Sequence, residues 1–390
     1  MSRTLPIQNV SFRGEIDSFL TEGGGSNKLP KWVTYDEVKQ NSIRVRAQLS
    51  TLSEVFSNSR ALPLLTEVSL NENATAKSYR PAVRKMLDVG NKRNVLGVSS
   101  VGKLIVKIDS RDDLDKITSK DGQISQNVHL GLAAIENIAK YFSAVEDDIA
   151  ENDCVKVQLV DYQRNDFNYR SRLLLEDFCR RAELVLEELH YASDIRLFSI
   201  KNITTDALSQ IATMDSVLSV RKMPTIEFEV SSDPENTTIE VMRPRDGVVY
   251  PTVGLLDSGV AAIEHLQPWL VSDEDNVADL SDNDIVRRHG TAVASVINYG
   301  DFLENINMTG CGPCKIQSCI VNTETCKATI MENELVMYIQ QAINAHPEIK
   351  IWNLSQGTTI PIKDNRYSDF GIALDSLQKN NNVLICKSAG

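Results

Sequence analysis

The chain has 390 residues, enough for two or more domains, each with its own buried core. Apolar residues make up 42% and charged residues 24%, as in ordinary globular proteins; no apolar run reaches the roughly 18 residues that a membrane span needs. A formal net charge of −12 argues against nucleic acid as the main partner, because phosphate binding needs clustered Lys and Arg.

The first residues, MSRTLPIQNVSFRGE, lack the apolar core of a signal peptide, so the expected location is cytoplasmic, with no membrane partner. In that setting the sequons at Asn9, Asn73, Asn202, Asn236, Asn307 and Asn353 carry no meaning, and the seven cysteines are expected as reduced thiols. Residues 1–65 read as an N-terminal extension with a Gly-rich connector at Gly23–Ser26 and a helix-like spacing from Trp32 to Phe56. Thr66–Leu70, Val95–Val98 and Lys103–Ile108 read as strands. Two amphipathic helices are predicted. Val128–Phe142 carries Leu132, Ile135, Ile138 and Phe142 along one stripe, and Arg170–Tyr191 carries Leu174, Phe178, Leu186 and Leu189. Val155–Val160 between them is strand-like. Ile195–Ile200, Thr204–Met214 and Val217–Val220 form a predicted β-α-β unit whose helix is capped by Thr204 or Thr205. Residues 66–222 are thus expected as an α+β region, and 223–250, around a strand-like Ile226–Val230, as a linker. From residue 251 strands alternate with helices: Val253–Leu256, Thr291–Tyr299, Ile316–Val321, Glu332–Asn344, Ile349–Leu354, Phe370–Gln378 and Val383–Cys386. That order predicts an α/β domain, a doubly wound parallel sheet with helices on both faces.

Two segments in this last region carry chemistry. In Val253-Gly-Leu-Leu-Asp257-Ser-Gly259 an apolar strand runs into an aspartate, and strand ends are where open parallel sheets place their sites. Taken alone, Asp-Ser-Gly is also an ordinary turn. In His289-Gly-Thr-Ala-Val-Ala-Ser295 a helix begins at a histidine and continues with small residues that allow close packing. Among the five histidines, 129, 190, 265 and 346 have no such setting.

Taken together the two segments resemble the Asp and His motifs of the subtilisin-like (subtilase) serine peptidases, in the chain order Asp…His…Ser of that family. Three further segments are similar in the same order. Gly310-Cys-Gly-Pro313 resembles the family's Gly-x-Ala-Pro turn. Asn353-Leu-Ser355-Gln356-Gly357 resembles the Asn-x-Ser-x-Gly wall of the substrate cleft. Ser388-Ala-Gly390 resembles the start of Ser-Ala-Gly-Asn. The motif tails look most like a large bacterial intracellular branch. The resemblance implies a serine endopeptidase acting on protein or peptide substrates, without cofactor or metal. His289 would act as general base and Asp257 would orient it. Backbone groups of Ser355, Gln356 and Gly357 would pair with an extended substrate strand. Gln356 replaces an apolar residue common there, which leaves the pocket preference open.

The resemblance also implies parts that these residues do not contain: the Asn after Gly390 and the Gly-Thr-Ser segment with the nucleophile. Ser258 and Ser295 belong to the Asp and His motifs and Ser355 to the cleft wall. The expectation is a fragment of a longer peptidase, inert by itself. The rival reading is a subtilase fold that lacks the serine and binds peptides without cutting them. Ser199–Lys222 resembles the closing helix and strand of a subtilase prodomain, with an interaction domain as the alternative. Val68-Ser-Leu-Asn71 with Ala76–Pro81 resembles a segment of the same bacterial branch, whose members often have an AAA-type ATPase as partner.

Other motifs dissolve on inspection. Gly97–Leu104 nearly matches a phosphate-binding loop, but Leu104 stands where Ser or Thr should hold magnesium, and a strand follows; a hairpin turn is predicted. Cys311-Gly-Pro-Cys314 has a thioredoxin-like spacing but falls on the subtilase turn, and redox or zinc use with Cys319 and Cys326 is the weaker reading. The acidic run Asp273–Asp284 reads as a solvated loop, with calcium as the alternative.

Overall fold

In the computed structural model the described residues are 29–56, 61–99, 102–120, 125–227, 240–271, 273–303, 313–323, 330–360 and 367–388. They divide into two compact units, one within Ser11–Lys222 and the other within Met223–Gly390.

In the first unit, helix α1 (Tyr35–Val55) opens at a capping box. The Thr34 hydroxyl accepts from the Glu37 amide at 3.2 Å, and the Glu37 carboxylate accepts from the Thr34 amide at 3.2 Å. Val45, Leu49 and Leu52 lie on one stripe and are buried. They share a core with β1 (Leu64–Leu70), α2 (Arg80–Leu87), β2 (Val95–Val98), β3 (Leu104–Ile108), α3 (Arg111–Ser119), α4 (Gln126–Ala134) and β4 (Ile135–Lys140). The four strands form an antiparallel sheet in the order β2-β3-β1-β4. On either side of residues 100 and 101, which lie outside the described residues, the phosphate-loop lookalike belongs to the antiparallel β2–β3 pair, with a 2.7 Å bond from the Ser99 amide to the Lys103 carbonyl.

The helix predicted over Val128–Phe142 is half wrong. It ends at Ala134, and Ile135–Lys140 is a strand paired antiparallel with β1. Ile135 and Ile138 are buried as their spacing requires, but the open edge of β1 takes up their backbone groups, and a ladder outweighs local helix preference.

A second sheet holds β5 (Ala144–Val145), β6 (Val155–Leu159), β7 (Val185–Leu189), β8 (Leu197–Lys201) and β9 (Val217–Lys222), in the order β5-β9-β6-β8-β7. Helices α5 (Asn165–Arg181) and α6 (Thr205–Ala212) pack on it through Leu175, Phe178, Ala207 and Ile211. The helix predicted over Arg170–Tyr191 stops at Arg181. Glu183 takes a left-handed φ of 56°, and Val185–Leu189 returns as the edge strand beside β8. Thr204 caps α6, its hydroxyl accepting from the Ala207 amide. The predicted compact β-α-β unit is in fact split: β6 lies between β8 and β9 and is antiparallel to both, a β-α-β-β-α-β arrangement.

The second unit contains β10 (Ile226–Glu227), β11 (Thr252–Asp257), β12 (Asp275–Asn276), α7 (Arg288–Leu303), β13 (Lys315–Ile320), α8 (Glu332–Ala345), β14 (Ile351–Leu354), β15 (Gly357–Thr358), α9 (Asp369–Asn381) and β16 (Leu384–Lys387). Five of these strands form a wholly parallel sheet, β12-β13-β11-β14-β16. From β11 the chain passes through α7 to β13 on one side, then through α8 back across to β14 and through α9 on to β16. Right-handed crossovers taken in opposite directions place α7 on one face and α8 and α9 on the other. This is the α/β, doubly wound architecture expected from the alternation. On the α7 face Leu255 packs with Ala294, Tyr299 and Ile316. On the other face Trp352, fully buried, lies over Gly254; a methyl at Gly254 would stand 2.2 Å from the indole.

Candidate functional site

The order of crossovers reverses at β11, so its carboxyl end opens on the crevice where open α/β sheets bind ligands. Asp257 is the last residue of β11 and is fully buried. His289 lies in the first turn of α7, its side chain 21% exposed. The ring nitrogen Nδ1 is 2.8 Å from Asp257 Oδ1 and 3.0 Å from Oδ2. The carboxylate therefore holds the proton on Nδ1 and turns Nε2 to the far side of the ring. Asp257 Oδ1 also accepts from the Ser258 amide at 2.7 Å. Each carboxylate bond lowers the cost of keeping a charge in a buried place.

Two glycines make this approach possible. Gly259 has φ +94°, a left-handed conformation that turns the chain away at the strand end. Gly290 packs its Cα against that turn; a methyl there would lie 2.2 Å from the Gly259 carbonyl oxygen and 3.2 Å from Asp257 Oδ1. The Gly290 amide donates to Ser258 Oγ at 3.2 Å, which ties the start of α7 to the end of β11.

Glu274 is a member of this assembly that sequence reasoning missed. Its Oε1 accepts from the Val260 amide at 2.6 Å and from Ser318 Oγ at 2.8 Å, and its Oε2 from Arg287 Nε at 2.7 Å. One carboxylate thus joins the loop after Asp257, strand β13 and the residue before α7. It sits in the acidic run read as a solvated loop, and for Glu274 that reading is corrected: its side chain is 18% exposed and bonded on both oxygens. Nothing in a string of acidic residues marks which one turns inward.

The third predicted group lies just beyond β14. Ser355 Oγ donates to Asn353 Oδ1 at 2.9 Å. Gln356 is 2% exposed, its Nε2 3.4 Å from the Leu256 carbonyl of the central strand. Gly357 opens β15, which pairs antiparallel with β10 in the register Ile226↔Thr358 and Glu227↔Gly357. On its other side the same segment is held by bonds from the Ile226 amide to Ile330 O, 3.0 Å, and from the Glu332 amide to Pro224 O, 2.9 Å. Residues 224–227, within the stretch read as a linker, are therefore the middle strand between residues 330–332 and 357–359. The structure brings Asp257 and His289 into contact and pairs Gly357 with an extended chain, while the side chains of Ser355 and Gln356 bond Asn353 and Leu256 instead. Residues 310–312 and 389–390 of the motif set, and Cys326, lie outside the described residues.

Residues 250–390 match the family model of the subtilases. The likeness to the subtilases lies in this segment, little more than a third of the chain. A crystal structure of a mutant of the epidermin leader peptide processing serine protease from Staphylococcus aureus is similar over 62% of this chain, at 15% identity and a TM-score of 0.35; this chain spans 61% of that protein. No curated protein matches the sequence. No described helix is long and apolar enough to cross a membrane.

Proposed function

We propose that Asp257 and His289 are two members of a serine endopeptidase triad, completed by a serine outside residues 1–390, and that these residues alone do not hydrolyse peptides. The observation that carries the proposal is the buried Asp257 carboxylate bonded to His289 Nδ1 at 2.8 Å at the sheet's switch point. In this reading His289 Nε2 removes the proton from the serine hydroxyl as it attacks the scissile carbonyl. The same nitrogen then delivers that proton to the leaving amine. Asp257 keeps the neutral ring in the required tautomer and stabilises the imidazolium that forms between the two steps. The hydroxyls within the motifs have other tasks: Ser295 Oγ donates to the Thr291 carbonyl and meets His265 Nε2, and Ser355 Oγ binds Asn353.

Substrate recognition in this proposal is by strand addition. Residues 330–332 and 357–359 present backbone groups to both sides of an extended segment, and 224–227 take that place within the chain. A peptide-binding protein without catalysis would use the same edges, so the nucleophile decides between the two readings. A fluorophosphonate probe is expected to leave residues 1–390 unlabelled and to label a longer product of the same gene that carries the serine, with labelling lost in its His289→Ala variant. Labelling of residues 1–390, or full labelling after His289→Ala, would overturn the proposal.

A further inference from the structure

The sheet carries a second cluster of reactive side chains, on the face opposite Leu255 and Asp257. Asp275 and Cys319 are direct partners in the β12–β13 ladder, so their side chains leave the sheet on one side. In the neighbouring ladder Cys319 pairs with Leu256, whereas Asp257 pairs with Ile320. Pleating therefore puts Cys319 on the α8 face, with Gly254 and the Trp352 ring. His346 caps the carboxyl end of α8 and reaches onto the same spot. Its Nε2 is 3.3 Å from Asp275 Oδ2, and its ring centroid is 6.4 Å from that of Trp352. One ligand atom from each of Asp275, Cys319 and His346 lies within 4.8 Å of the other two.

The geometry points to a zinc-type site formed by Asp275, Cys319 and His346. One thiolate, one imidazole and one carboxylate are a borderline donor set, suited to Zn²⁺ rather than to calcium or magnesium, and three protein ligands leave a fourth position for water. His346 turns Nε2 toward Asp275, and its Nδ1 lies 3.7 Å from the Glu348 carboxylate, on the outer side of the ring. Cys319 is fully buried in β13, and zinc binding would release its thiol proton to solvent as the thiolate coordinates. The site ties the end of α8 to the β12–β13 ladder. It is built from residues independent of the Asp257–His289 pair, so it stands or falls without the peptidase reading.

The test uses residues 1–390 stripped of metal, then given Zn²⁺ or Co²⁺ and gel-filtered. One zinc per chain is expected by elemental analysis, and the cobalt form should show a sulfur-to-cobalt charge-transfer band with tetrahedral d–d intensity. Cys319→Ser and His346→Gln should each weaken zinc binding by about 100-fold or more and remove the charge-transfer band, whereas the exposed Cys386→Ser should keep full stoichiometry. His346 is partly exposed, so its variant is expected to fold even where Cys319→Ser does not. No zinc on the wild-type chain, zinc kept by either folded ligand variant, or zinc lost with Cys386→Ser would overturn the inference.

Discussion

Replacing Gly290 by alanine tests how helix α7 is docked. Helix preference alone says that alanine should stabilise an early helical position by about 0.5–1 kcal/mol. The structure says the reverse. The new methyl would stand 2.2 Å from the Gly259 carbonyl oxygen, and a relaxed carbon–oxygen contact is about 3.3 Å. The first turn of α7 must then retreat by about 1 Å. A 2.8 Å bond from His289 Nδ1 to Asp257 Oδ1 stretches to about 3.8 Å, beyond hydrogen-bonding range. Overpacking of this kind costs about 1–3 kcal/mol, and the loss of a bond to a charged group about 1.5–3 kcal/mol. The two overlap, so a net loss of about 2–5 kcal/mol is expected, a large part of a typical domain's stability. Two of the chain's three tryptophans, Trp269 and Trp352, are buried in this unit, so urea unfolding followed by tryptophan fluorescence reports on it. Gly357→Ala is the control: a methyl there meets nothing within 4 Å, and a change below about 0.5 kcal/mol is expected. The low-field proton resonance of the His289–Asp257 bond should vanish in Gly290→Ala and persist in Gly357→Ala. An unchanged or raised midpoint for Gly290→Ala, with that resonance retained, would refute the docking argument.

In a serine-containing form of the protein, Asp257→Asn should fold and bind substrate but lose about 10⁴-fold in turnover, because an amide selects the wrong imidazole tautomer; a loss below tenfold would remove Asp257 from the triad. Glu274→Gln should keep the bonds from Val260 and Ser318 through its amide oxygen while the Arg287 ion pair weakens. Hydrogen exchange at the first turn of α7 is expected to quicken, and unchanged exchange would show that Glu274 does not hold that turn. Ile226→Pro removes the donor to Ile330 O, so backbone protection at Gly357–Thr359 should fall sharply while the parallel sheet stays protected; loss throughout would mean that the strand is part of the domain's core. Among the described cysteines, exposed Cys386 should alkylate first. Cys179 and Cys314, each pushed up to about 11 by burial, should hold only about one part in a thousand as thiolate at pH 8, their rates climbing as pH rises toward 11; fast labelling of either at pH 8 would contradict their burial.

What could be read from the sequence was of one kind: features carried by short, contiguous runs. The alternation of apolar strands and helices after residue 251 announced a parallel sheet, and an aspartate at a strand end with a histidine at a helix start announced the pair that meets at 2.8 Å. Both work because strand ends and helix starts in such a sheet share one edge. The misread elements lie where a run is compatible with two partners. Ile135 and Ile138 satisfy a helix stripe and a strand face alike, and the open edge of β1 chose the strand. Leu186 and Leu189 extend a helical stripe on paper, but Glu183 reverses the chain and β8 captures them.

By itself, then, the sequence indicated the sheet's class through its local alternation, and Asp257 and His289 through motifs that resemble those of the subtilases. Only the tertiary structure decided which acidic side chain holds α7 in place, which segment lies between residues 330–332 and 357–359, and that Asp275, Cys319 and His346 converge. Those outcomes depend on ladder register, pleat direction and helix placement between residues as many as 134 positions apart, where composition and periodicity carry no information.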